Sequence, residues 1–306
     1  MDLPGESLAG LATHNGGSAL PPLSSPRPYL HPIRSLAGTV LTDASPADHA
    51  HHLGLSIAVS DLNGTNFWGG STFTAANGPQ ILPNHGTQRA DGWTATSPPG
   101  WTSATGNPDT PHAAGFEGAL TWLSEHGNEL AVERRRINQY PHPSPGTWCL
   151  SVDSALTPAG SVPRLEVSSS AVKGRNGAGY GGIFWRFSAS STPPTVLSDH
   201  GAGTEAAHGS LSPWLAISLT VAGAPVSVVL AQSALIRPWF IRTEGYIGAG
   251  PAVAWSAKAA ADADTPLVQD LHAVIHDGTL HTASQALELL RHHPGLHPER
   301  QPDRTS

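Results

Sequence analysis

The sequence predicts a mostly β protein: an antiparallel β-sandwich with a single helix near its C-terminus. Short runs of alternating apolar and polar residues recur along the chain, the periodicity of half-buried strands. The 33 glycines and 28 prolines among 306 residues supply turns between those runs. Only one segment, at 282–291, carries a clear helix signal. No fixed period repeats, which excludes propellers and solenoids.

Taken in order, residues 1–25 are Gly, Ser, Pro and Leu without periodicity and read as a flexible arm. The first strand is expected at 28–34, with Tyr29, His31 and Ile33 on one face. Pro28 and Pro32 cannot donate to a ladder, so it reads as an edge strand. Leu53, Leu55, Ile57 and Val59 mark a second strand, closed by the Asn63-Gly64 turn pair. Residues 69–115 are loop-rich and read as a lid. Strands follow at 116–126, 129–140, 146–156 and 162–172. Glu133-Arg134-Arg135-Arg136 is a charge run on a solvated face, from which Glu133 could turn inward.

The Gly-rich stretch 177–182 precedes the aromatic strand Ile183-Phe184-Trp185-Arg186-Phe187. Without a following helix or a Lys-Ser/Thr pair it is no phosphate cradle; it marks a bulge or a close backbone approach. Residues 214–231 are apolar but break at Ala222-Gly223-Ala224-Pro225, which makes a hairpin rather than a membrane helix. Strands are expected near 252–258 and 267–276. The helix begins at the cap Thr282 with Gln285 completing a capping box, and Ala283, Ala286, Leu287 and Leu290 form its stripe. His292 and His293 suit its C-terminal dipole, and residues 297–306 read as a disordered tail. Residues 26–296 are therefore expected to form one domain.

Composition excludes several functions. A net charge of −7 without a basic block argues against nucleic acid. The N-terminus lacks the basic and apolar regions of a signal peptide, and the single cysteine, Cys149, permits a reducing compartment. A soluble, cytoplasmic protein is expected, with no membrane partner; its oligomeric state is open.

The densest chemistry lies in 27–68, RPYLHPIRSLAGTVLTDASPADHAHHLGLSIAVSDLNGTNFW. His31, His49, His51 and His52 stand there beside Arg27, Tyr29, Arg34, Asp43, Asp48 and Asp61, with His85 close by. Histidine is the side chain most easily poised for proton transfer or metal ligation near neutral pH. His49, His52, Asp48 and His31 are the candidate catalytic groups, with Asp48 orienting a histidine. Arg27, Tyr29, Asp61, Asn63, Trp68, His85, Arg186 and Trp239 are candidate substrate contacts, and Trp93, Trp101 and Trp185 further aromatic platforms.

Three readings follow. In the first, a sugar stacks on aromatic faces and reacts by histidine acid–base chemistry without a required cofactor; a hydrolase using Asp48 and Glu133 is a variant. In the second, His49 and His51 hold a divalent metal such as zinc, with His31 or His85 as third ligand. Against it, residues 53–60 contain no carboxylate. In the third, the protein is a sugar-binding module without chemistry.

The chain also resembles a bacterial family of unknown function commonly labelled methane oxygenase PmoA. The resemblance rests on RPYLHPI (27–33), DHAHHLGLSIAVSDLNGTNFW (48–68), YGGIFWRF (180–187) and RPWFIR (237–242) followed by Gly250-Pro251. The label fails a physical test, since a membrane oxygenase subunit needs apolar helices of roughly 20 residues and this sequence offers none. The family is similar to supersandwich proteins of the galactose-mutarotase type, and its members accompany sugar-catabolic oxidoreductases. The resemblance therefore implies a supersandwich acting in sugar catabolism on a glycoside or an oxidised sugar. Hydrolysis, elimination and epimerisation all remain open.

Overall fold

A computed structural model of the protein describes residues 7–8, 10–98 and 113–296. Two large sheets dominate. The nine-stranded sheet runs, from one edge to the other, Gly201–Ala202, Thr195–Ser198, Trp214–Val221, Ala224–Ala231, Leu267–Asp277, Thr147–Pro158, Glu129–Pro141, Ala114–Leu123 and Thr87–Thr96. The seven-stranded sheet runs Ser7–Leu8, Ala12–Asn15, Tyr29–Ile33, Leu55–Ala58, Gly182–Arg186, Gly248–Pro251 and Trp239–Arg242. Neighbouring strands are antiparallel throughout both. The expected mostly β, antiparallel sandwich is the observed fold.

Alternation decides which side chains meet between the sheets. Leu215, Ile217 and Leu219, Val226, Val228 and Leu230, and Leu271, Ala273 and Ile275 point from the large sheet into one continuous core. Leu55 and Ile57, Ile183 and Trp185, and Trp239 and Ile241 meet them from the smaller sheet. Two further apolar layers lie on the outer faces. The helix Ala283–Arg291 covers one face of the large sheet, placing Ala286, Leu289 and Leu290 against Tyr140, Cys149, Trp214 and Val274. On the smaller sheet, Phe184, Phe240 and Ala58 face outward and pack with Trp68.

Several expectations change. Residues 10–25, read as a loose arm, are built into the fold: Ala12–Asn15 pairs with Tyr29–Ile33, and Ala12 is fully buried. Tyr29–Ile33 is consequently an internal strand rather than an edge. The supposed lid contains the hairpin Thr72–Thr74 and Gly78–Gln80 and the ten-residue strand Thr87–Thr96; residues 99–112, with Trp101, lie outside the described residues, as do 297–306. No strand occupies 252–258, where Pro251 ends one strand and Ala259 begins another.

The capping box forms as the spacing requires, but of the expected stripe Ala283 and Leu287 are exposed, Leu287 at 45%. Leu289, which the stripe left out, joins Ala286 and Leu290 on the buried face. His293 is no dipole-bound cation. It is fully buried beside His272, and burial pushes its imidazole down to about 3. Among the described residues no helix is long and apolar enough to cross a membrane.

Candidate functional site

A cleft of about 460 Å³ opens over the outer face of the smaller sheet, within the ~300–1,000 Å³ typical of small-molecule sites. Its walls include His49, His51, His52, Trp68, Phe73, Tyr180, Phe240, Arg242 and Tyr246. Sheet parity explains the choice. Ile241 and Trp239 point into the core, so Phe240 and Arg242 between and beyond them point out.

The histidines do not lie on a strand. Two successive turns, closed by His49 N–H to Pro46 O at 3.0 Å and His52 N–H to His49 O at 2.9 Å, carry them. The turns bring all three rings together: centroids are 4.7 Å apart for His49–His52, 4.7 Å for His51–His52 and 5.9 Å for His49–His51. Gly69 and Gly70 make room for His51. Both have positive φ, and a Cβ at either would lie 2.7 or 2.8 Å from His51 atoms.

Hydrogen bonds assign the rings different roles. Asp48 Oδ2 lies 2.8 Å from His49 Nδ1; a carboxylate only accepts, so Nδ1 carries a proton, and in the neutral ring Nε2 is the nitrogen with the lone pair. His52 is the converse. Arg186 Nη1 lies 3.1 Å from its Nδ1, and a guanidinium only donates, so His52 Nδ1 accepts and Nε2 carries the proton. Burial, then the neighbouring His51, Arg186, His49 and Arg27, pushes His52 down to about 2. Burial and Arg27 push His51 down to about 4. His49 holds Asp48 below the ordinary carboxylate range. The cleft thus presents one imidazole lone pair oriented by a carboxylate and one neutral N–H donor beside it.

Arg186 stands behind this pair. Besides His52 it approaches Asp43 at 3.7 Å and Asp48 at 4.0 Å, and its Cζ lies 4.6 Å from the Tyr246 ring centroid. Burial raises the Tyr246 phenol, so it is a protonated donor at neutral pH.

The other predicted residues are elsewhere. Arg27 is buried beneath the cleft, where it binds the carbonyls of Ser24, Ser25, His51 and Trp68 and the Ser56 hydroxyl; burial pulls it down to about 9. It positions the wall rather than a ligand. Tyr29 and His31 lie outside the cleft, His31 bonded to Thr42 through Nδ1. His85 bonds to the Gly70 carbonyl at 2.7 Å. Asp61 pairs with Lys173, and Asn63 ties Arg164 O and Glu166 N–H.

Trp185 and Trp239 fill the core at 0% exposure; their parity is the inward one. Trp93 packs on His14, away from the cleft.

Two chemical expectations lose their partners. Glu133 is 0% exposed in the sandwich interior, bound by Trp122, Arg135 and Ser154, so it forms no carboxylate pair with Asp48. His31 and His85 are bonded elsewhere, and no group of three or more His, Cys, Asp or Glu among the described residues is arranged to hold a metal ion. Sequence reasoning missed Phe73, Arg175, Asn176, Tyr180, His208, Phe240, Arg242 and Tyr246. The usable signals were the glycines at 177–182, which bring backbone close to the cleft, and the alternation within 237–242.

Among solved structures, the chain is similar to the galactosidase domain of an α-galactosidase–sucrose kinase, AgaSK. That likeness has a TM-score of 0.29 at 6% identity, covering 79% of this chain and 32% of the other. No curated protein matches. Residues 6–290 match the family described as "Family of unknown function (DUF6807)", and with most of its length matched the chain belongs to that family.

Proposed function

We propose that the protein is a carbohydrate-active enzyme that removes a proton from the carbon beside the carbonyl of an oxidised sugar. The observation that carries this reading is the opposed tautomers of His49 and His52, with ring centroids 4.7 Å apart. His49 Nε2 takes the proton, and the electron pair left behind moves into the carbon–carbon bond to form an enolate. His52 Nε2–H donates to the carbonyl oxygen as negative charge develops there. A neutral imidazole suits that task, because its acidity is closer to that of an enol than an imidazolium's would be. The enolate then either regains a proton on its other face, an epimerisation, or expels a group from the next carbon, an elimination. Tyr246 or Tyr180 can supply that second proton.

The lining supports a sugar. Trp68, Phe240 and Phe73 offer apolar faces, while Asn176, Ser71 and the tyrosines offer hydrogen bonds, the mixture such ligands need. Hydrolysis by two carboxylates has no support, since no Asp or Glu among the described residues lines the cleft.

The test is turnover of a panel of glycosides and 3-keto-glycosides by wild type, His49→Ala and His52→Ala, each with and without chelator. A positioned acid or base contributes about 10²–10⁴-fold, or ~3–5 kcal/mol of barrier. Losses of that size in kcat, with affinity nearly unchanged and no response to chelator, are expected. Retained sugar binding with no turnover by wild type would overturn the enzyme and leave a binding module. Activity lost to chelator would restore the metal.

A further inference from the structure

We infer that the ligand of this cleft carries an anionic group, a carboxylate or a phosphate, held by Arg175 and Arg242. The inference deepens the sugar reading above and rests on it for the rest of the molecule.

The chain has 23 acidic and 16 Lys and Arg residues, so an average patch of its surface is negative. The cleft is the opposite: among the described residues two arginines and no carboxylate line it. Most exposed cationic side chains elsewhere are matched, although Arg34 and Arg237 bond to the carbonyls of Gly38 and Val268 instead. Arg89, Arg134, Arg136, Lys173, Lys258 and Arg291 each face a carboxylate. Arg175 and Arg242 are exposed and have no carboxylate partner among the described residues. Arg242 is nevertheless held in place. Its Nε donates to Glu244 O at 2.8 Å, and its Cζ lies 4.8 Å from the Tyr246 ring centroid. The guanidinium also bonds to the Tyr246 hydroxyl, and its exposed remainder can donate to an anion.

The wall behind points the same way. Arg27 and Arg186 are buried at its base, and neither guanidinium is fully offset: Arg27 makes its bonds to carbonyls and a hydroxyl, and Arg186 meets its carboxylates at 3.7 and 4.0 Å. Burial is the main reason His51 and His52 stay neutral, and Arg27 and Arg186 add to it. Two buried guanidinium groups behind a cleft attract an anion into it.

The experiment measures binding of D-glucuronate, D-glucose 6-phosphate, D-glucose, methyl D-glucuronate and inorganic phosphate by calorimetry at low and high salt. Wild type, Arg175→Gln, Arg242→Gln and the double variant are compared, with thermal melts to confirm folding. Both arginines are exposed, so unchanged melting is expected. Charged sugars should bind about 10–100-fold more tightly than neutral ones, each single variant should lose much of that preference, and the double variant should lose it all. Added salt should narrow the gap. Glucuronate against glucose 6-phosphate separates a carboxylate from a phosphate. Equal affinity for charged and neutral sugars, a preference surviving in the double variant, or no binding of any charged probe would each overturn the inference. Neutral sugars bound as well as charged ones would leave the sugar reading standing alone. Inorganic phosphate bound as tightly as glucose 6-phosphate would uphold the anion site and remove the sugar.

Discussion

Acidification from pH 6.5 to 4.5 is expected to destabilise this protein steeply, and the histidines account for it. His52 and His293 are 2% and 0% exposed, and burial holds them at about 2 and about 3, against 6.5 for a free imidazole. Below pH 6.5 the unfolded chain takes up a proton at each, while the folded chain takes up neither until far lower pH. Acid therefore favours the unfolded state, and the loss runs from about pH 6.5 down towards 3. One proton is worth about 1.4 kcal/mol per pH unit, so over two units the pair costs ~5 kcal/mol. That equals the whole stability of many domains, ~5–15 kcal/mol. His51, held at about 4 but partly exposed, adds a smaller share. The ordinary carboxylate range lies at and below 4.5, so the window belongs to imidazoles. Urea unfolding at half-unit steps of pH measures the slope. His293→Gln and His52→Gln, whatever they cost at pH 7, should each reduce that slope by about one proton. Stability that stays flat from pH 7 to 4.5, or slopes unchanged in both variants, would refute the assignment of these rings as buried and neutral.

Four other outcomes are expected. Asp48→Asn should cut turnover by at least ~10²-fold while preserving affinity, because the His49 tautomer is no longer enforced; wild-type kcat in that variant would remove the dyad. Glu133→Ala should cost about 3–5 kcal/mol by stranding Arg135 in the interior, and Glu133→Leu with Arg135→Leu should recover much of it, as read by urea melts. Trp239→Ala should destabilise by ~3–5 kcal/mol, whereas Trp68→Ala should weaken sugar binding measured by calorimetry. Gly70→Ala should impair the cleft, since its Cβ would meet the His51 ring at 2.8 Å; unchanged ligand affinity and turnover would show His51 to be dispensable.

What was legible in the sequence was local. The hairpin at 214–231, the Asn63-Gly64 turn and the Thr282 capping box are set by neighbours within a few residues, and all three form. The density of histidines at 49–52 likewise marked the cleft. What was not legible depends on distant partners. Alternation in 237–242 was visible, but its phase was not: only the opposing sheet decides that Trp239 turns inward and Phe240 outward. The His52 tautomer is set by Arg186, 134 residues away. Glu133 was allowed an inward turn from its charge run, but that Arg135 follows it inside while Arg134 and Arg136 stay outside shows only once the strand's parity is known.

The strand Ala12–Asn15 has a practical consequence for anyone shortening this chain. Its backbone occupies one side of Tyr29–Ile33, and a boundary drawn at residue 26 on sequence grounds would strip it away. The shortened protein would then present bare N–H and C=O groups along Tyr29–Ile33, next to the newly uncovered Ile33 and Leu30 side chains. Such an unguarded margin recruits other strands, including the same margin of a second molecule. Poor solubility or spurious dimers in that product would reflect the cut, and the shortest sound form of the protein starts ahead of Ala12.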